Sequence, residues 1–121
     1  RLFRAKTGSC EQVYTCGSSL AFAIFSPDCH NVLTVAHDGM AGVYQTESGV
    51  CQQTLKCGGP VSQACFSADN STLLIAASTA QTYSTSSWKC TQLGAEGVLH
   101  ASFSPSGEKV LVSLKASAEM Y

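Results

Sequence analysis

Charged side chains are scarce in this chain: they make up 12% of its 121 residues, about half of the ~25% that is usual. Seven Lys and Arg nearly balance eight Asp and Glu, which leaves a formal net charge of −1. Only Arg1, Arg4 and Lys6 lie close together in the sequence. Because binding to phosphates needs concentrated Lys and Arg, we do not expect the chain to bind nucleic acid directly.

Long apolar runs are also missing. No run approaches the ~20 residues that span a bilayer, and the first residues do not form a signal-peptide pattern. We therefore expect no membrane partner. Because the chain begins at Arg1 without a Met and ends at Tyr121 inside a predicted strand, we expect it to be a piece of a longer protein.

Sequence motifs of catalytic, metal-binding and phosphate-binding sites are absent as well. The sequence has no Cys-x-x-Cys, no glycine-rich phosphate loop and no nucleophile elbow. His100 lies in a predicted strand, and the adjacent side chains of Cys29 and His30 would point apart on an extended chain. His37 and Asp38 have no nucleophile beside them in the sequence. We expect no enzymatic activity, no metal and no cofactor.

The sequence contains an internal repeat. The segment Phe25-Ser26-Pro27 recurs as Phe66-Ser67-Ala68 and Phe103-Ser104-Pro105, and successive phenylalanines are 41 and 37 positions apart. A tyrosine follows each phenylalanine after 17 to 19 residues, at Tyr44, Tyr83 and Tyr121. A period near 40 with short apolar segments predicts a repeat protein built from β-strands.

Each repeat is predicted to hold four short strands, here called a, b, c and d, separated by turns rich in Pro, Asp, Asn, Ser and Gly. Strand b is the most apolar, which is typical of a strand buried on both faces. Its residues Leu74 and Leu111 are therefore expected in the core. The predicted strands are a at 20–25, 61–66 and 98–103, b at 32–36, 73–77 and 110–114, c at 1–3, 41–45, 80–84 and 117–121, and d at 10–15, 50–56 and 88–93.

Seven cysteines follow the same repeat. Cys10, Cys51 and Cys90 each begin a strand d, and Cys16 and Cys57 end one. Such recurrence indicates small buried hydrophobic residues, with a reactive thiol and a metal ligand as weaker alternatives. An odd cysteine count without a disulfide pattern favours reduced thiols in a reducing compartment, the cytoplasm or the nucleus.

The repeat resembles the WD repeat, the four-stranded blade of a β-propeller, over essentially the whole chain. The residues that carry the resemblance are Arg1 to Cys10 at the crossing from strand c to strand d, Phe25-Ser26-Pro27-Asp28, and Asp38-Gly39 followed by Val43-Tyr44. The resemblance implies an all-β fold of four-stranded antiparallel blades, about three of them, in an incomplete propeller. Residues 1–16 would supply strands c and d of one blade, 17–57 and 58–93 one blade each, and 94–121 strands a to c of a further blade.

The repeats are degenerate members of that family. Phe3-Arg4, Tyr44-Gln45 and Tyr83-Ser84 stand where the family has Trp-Asp. The positions to which the resemblance assigns a structural role are Phe3, Phe25, Asp38, Tyr44, Phe66, Tyr83, Phe103 and Tyr121.

The resemblance implies a protein-interaction scaffold within a larger WD-repeat protein or complex. In the family, partners contact the b–c and d–a connections on one face of the propeller. Carried over to this chain, those connections hold Ser19, His37, Met40, Pro60, Thr79, Glu96 and Lys115. The alternative is a structural assembly module, as in cilium, cytoskeleton or ribosome-assembly complexes, that forms homo-oligomers or multi-subunit complexes through open blade edges.

Overall fold

The chain is all-β in the computed structural model, which describes residues 1–14, 19–114 and 118–120, with the backbone alone at 94–96 and 118–120. These ranges form thirteen strands and no helix. The strands are β1 Leu2–Phe3, β2 Cys10–Gln12, β3 Leu20–Phe25, β4 Asn31–Ala36, β5 Met40–Gln45, β6 Cys51–Lys56, β7 Gln63–Phe66, β8 Thr72–Ala76, β9 Thr79–Ser84, β10 Cys90–Glu96, β11 Val98–Phe103, β12 Val110–Leu114 and β13 Ala118–Met120. Each predicted strand corresponds to one of them.

The strands form four antiparallel sheets in chain order. The first sheet is β1–β2, the second is β3–β4–β5–β6, the third is β7–β8–β9–β10, and the fourth is β11–β12–β13. Neighbours in each sheet are also neighbours in the chain, so every pair is joined by a hairpin connection. The all-β prediction, with four-stranded antiparallel sheets, is confirmed.

Several strand boundaries differ from the predicted ones, and the start of β10 is one of them. Strand β10 begins at Cys90 and not at Trp88, because Trp88 closes the preceding turn with φ of 59°. The Trp88 N–H donates to the carbonyl oxygen of Ser84 over 2.7 Å. Trp88 occupies the turn position that Gly8 and Gly49 hold in the two preceding sheets, both with φ of 72°.

The second and third sheets share one apolar cluster. Leu33 and Val35 of β4 meet Leu73 and Ile75 of β8, and all four are 0% exposed. Phe66 packs against the same cluster. The alternation of side chains along a strand places these residues on the two sheet faces that meet.

The third and fourth sheets share a second cluster. Leu74 and Ala76 of β8 meet Val110 and Val112 of β12. The third sheet is thus covered on both faces, which confirms the prediction that Leu74 is in the core. The same prediction for Leu111 is wrong: Leu111 is 51% exposed, because it lies on the face of the fourth sheet that points away from the third.

The aromatic residues of the repeat also differ in burial from one sheet to the next. Tyr44 and Tyr83 are buried, Phe66 and Phe103 pack half-buried against the two clusters, and Phe3 and Phe25 are 55% and 51% exposed. The predicted structural residue Tyr121 lies outside the described residues.

The prediction of buried cysteines is wrong for the position that begins strand d. Cys10, Cys51 and Cys90 are exposed free thiols, because strand d is the edge of its sheet. Their recurrence has another basis: each is paired across the strands with an aromatic residue, Cys10 with Phe3, Cys51 with Tyr44 and Cys90 with Tyr83.

Cys57 does fit the prediction. It is 1% exposed and belongs to the cluster between the second and third sheets. Burial, with a smaller effect of Cys90, raises the pKa of the Cys57 thiol to about 11. Cys65 is half-buried, Cys29 is exposed, and Cys16 lies outside the described residues.

Candidate interaction surfaces

The b–c and d–a connections lie together at one end of the sheets, here called the loop end. The His37 N–H donates to the carbonyl oxygen of Ser19 over 3.1 Å, and the Gly97 N–H donates to that of Ser78 over 3.1 Å. The first bond extends the pairing of β3 with β4 at the b–c turn of the second sheet. The second joins the b–c turn of the third sheet to the connection that leads to the fourth.

The approach is closest between Gly39 and Gly59. A Cβ atom on Gly39 would overlap the carbonyl oxygen of Gly59, and Gly39 has φ of 88°. The b–c turn of the second sheet therefore rests directly on the connection that leads to the third sheet. The sequence shows both glycines, but only the fold shows that they touch.

The structure places most of the predicted partner-binding residues at the loop end. Ser19, His37 and Pro60 are exposed there, and Met40 and Thr79 are half-buried. The Met40 N–H donates to Asp38 Oδ1 over 3.0 Å, which fixes the b–c turn and gives Asp38 a structural contact. The Glu96 side chain and the whole of Lys115 lie outside what the structure describes.

The a–b turns lie at the opposite end of the sheets, here called the turn end. Two of them have the same hydrogen-bond pattern. Ser26 Oγ donates to Asp28 Oδ1 over 2.6 Å, and Ser67 Oγ donates to Asp69 Oδ1 over the same distance. In each turn the serine also accepts a backbone N–H from five residues further on. These bonds explain why the Phe-Ser segment recurs.

Side chains at the turn end also tie neighbouring sheets together. Asn70 Oδ1 accepts the Asp28 N–H over 3.0 Å and so joins the second and third sheets. Gln12 Nε2 donates to the carbonyl oxygen of Glu47 over 2.7 Å and so joins the first and second. Nothing in the sequence predicted these bridges.

The two turn aspartates are held in the ionised form. The hydrogen bond from Ser67 is the main cause that lowers the pKa of Asp69 to about 2, and Ser71 adds to the effect through its hydroxyl and N–H. The pKa of Asp28 is lowered mainly by the bond from Ser26. Hydrogen bonds to a carboxylate favour its charged form.

These shifts predict a loss of stability in acid. The ionised Asp69 stabilises the fold above its ordinary pKa of 3.8, and this contribution disappears as the pH falls toward about 2. We expect the unfolding midpoint in urea to fall between pH 4 and pH 2, and to fall less in Asp69→Asn. An equal fall in both proteins would contradict the assignment.

A second prediction concerns the backbone of these turns. The fourth residue after the repeat Phe is left-handed in each sheet: Cys29 with φ of 61°, Asn70 with 63° and Gly107 with 78°. Cys29→Gly removes a strain of ~1–2 kcal/mol and adds ~0.4–1 kcal/mol of unfolded-state entropy. We expect a net gain of ~0.5–1 kcal/mol by urea denaturation.

The control is Cys51→Gly, which changes another exposed cysteine in an ordinary strand. Cys51 is the first residue of β6 and has no positive φ, so glycine there relieves no strain and costs up to ~0.5–1 kcal/mol. If both variants lose stability alike, the left-handed strain at Cys29 is not real.

An apolar groove opens on the second sheet beside β1. Its volume is about 420 Å³. It is lined mainly by apolar residues: Leu2, Phe3, Tyr14, Leu20, Ala23, Ile24, Phe25 and Val32, together with Arg1 and Thr34. Sequence reasoning missed this groove, although the exposed Leu20 and Phe25 on the lining strand contribute to it.

The far face of the fourth sheet is a second uncovered apolar area. Leu99 of β11 and Leu111 of β12 are 57% and 51% exposed. We call it the outer face. It and the groove lie on the two sheets at opposite ends of the stack formed by the second, third and fourth sheets.

A further cavity is polar. It has a volume of about 500 Å³ and lies at the turn end, lined by Cys29, His30, Asn31, Gln45, Glu47, Ser48 and Gln52. Among the described residues, no group of three or more His, Cys, Asp or Glu is placed to hold a metal ion. Within the same ranges, no helix has the length and apolarity needed to cross a membrane.

Comparison with known proteins gives no family. No protein-family model matches the chain, and no curated protein matches it either.

Proposed function

We propose that this chain is part of a WD-type β-propeller and acts as a non-enzymatic protein-interaction scaffold inside a larger protein or complex. The observation that carries the proposal is the loop end. There the b–c turn of the second sheet is bonded to the start of its own strand a through His37 and Ser19, and the b–c turn of the third sheet is bonded to the connection to the fourth through Ser78 and Gly97. The b–c turn of the second sheet also lies against the connection to the third at Gly39 and Gly59. A fixed set of connections on stacked sheets suits recognition of a protein partner.

The chemistry of the loop end fits a protein partner. Its exposed or partly exposed groups include Ser19, His37, Pro60 and the adaptable Met40, beside two charged residues, Asp38 and Lys56. Methionine is among the residues that are enriched at protein–protein interfaces. On the cysteine pattern, the proposal places the protein in the cytoplasm or the nucleus.

The experiment compares the two ends of the molecule. Ser19→Glu/His37→Glu adds charge to the loop end, and Ser86→Glu/His30→Glu adds the same charge to exposed turn-end positions. Proteins cross-linked to the unaltered chain in cells are quantified against both variants. We expect partners to be lost from the first variant and kept by the second. Equal capture by all three proteins would overturn the proposal.

A specific observation also favours the second function, an assembly module. The groove and the outer face leave apolar surface uncovered on both end sheets, and such surfaces recruit other chains. The two functions are compatible, because they use different surfaces of the molecule.

A further inference from the structure

We draw no further inference here: the strongest candidate, the exposed apolar area around Leu99 and Leu111 on the outer face of the fourth sheet, carries none, because nothing in the described part of the chain shows what covers it.

Discussion

Leu74→Ala is expected to lower the free energy of unfolding by ~2–5 kcal/mol, whereas Leu111→Ala lowers it by less than ~1 kcal/mol. The two leucines hold the same register position in successive repeats. Leu74 is 1% exposed between the third and fourth sheets, and Leu111 is 51% exposed on the outer face. The substitution is identical, so the difference isolates the effect of a covering sheet.

Urea denaturation of the two single variants, each compared with the unaltered chain, measures this difference. Equal losses would mean that the fourth sheet has a covering neighbour within the chain. A loss below ~1 kcal/mol for Leu74→Ala would contradict the cluster between the third and fourth sheets.

The second large effect is expected from Gly39→Ala. The added Cβ must adopt φ of 88° and would overlap the carbonyl oxygen of Gly59. The left-handed backbone costs ~1–2 kcal/mol, and displacing a backbone carbonyl adds ~1–3 kcal/mol. We expect a total loss of ~2–5 kcal/mol, together with a disturbed loop end.

Gly58→Ala provides the control. Gly58 has φ of 75°, but no atom lies within 4 Å of its added Cβ. Gly58→Ala should lower the free energy of unfolding only by the cost of the left-handed backbone, ~1–2 kcal/mol. If both variants lose the same amount in urea denaturation, Gly39 and Gly59 are not in contact, and the loop end is not one connected surface.

The strands could be predicted because each carries its own local signal. The apolar run at Leu73-Leu74-Ile75 and the turn signal at Asp38-Gly39 both reflect preferences of short segments. The structure contains strands at every predicted position. Local signals also explain the serine–aspartate turns, whose bonds join residues two positions apart.

Burial could not be predicted in the same way, because it depends on whether another sheet lies above the residue. Leu74 and Leu111 have similar sequence neighbours and opposite burial. Cys51 recurs with the repeat and is exposed all the same, because β6 is the edge strand of its sheet. The groove, the outer face and the Asn70 bridge arise only from the stacking of distant segments.

Trp88 gives the molecule a built-in optical reporter. It is the sole tryptophan of the chain, and its indole packs half-buried against the cluster shared by the second and third sheets. Its emission spectrum should therefore follow separation of those two sheets. Detachment of the fourth sheet alone should leave the emission unchanged while the far-ultraviolet circular dichroism falls. A mismatch between the two signals during denaturation would then reveal the order in which the stack comes apart.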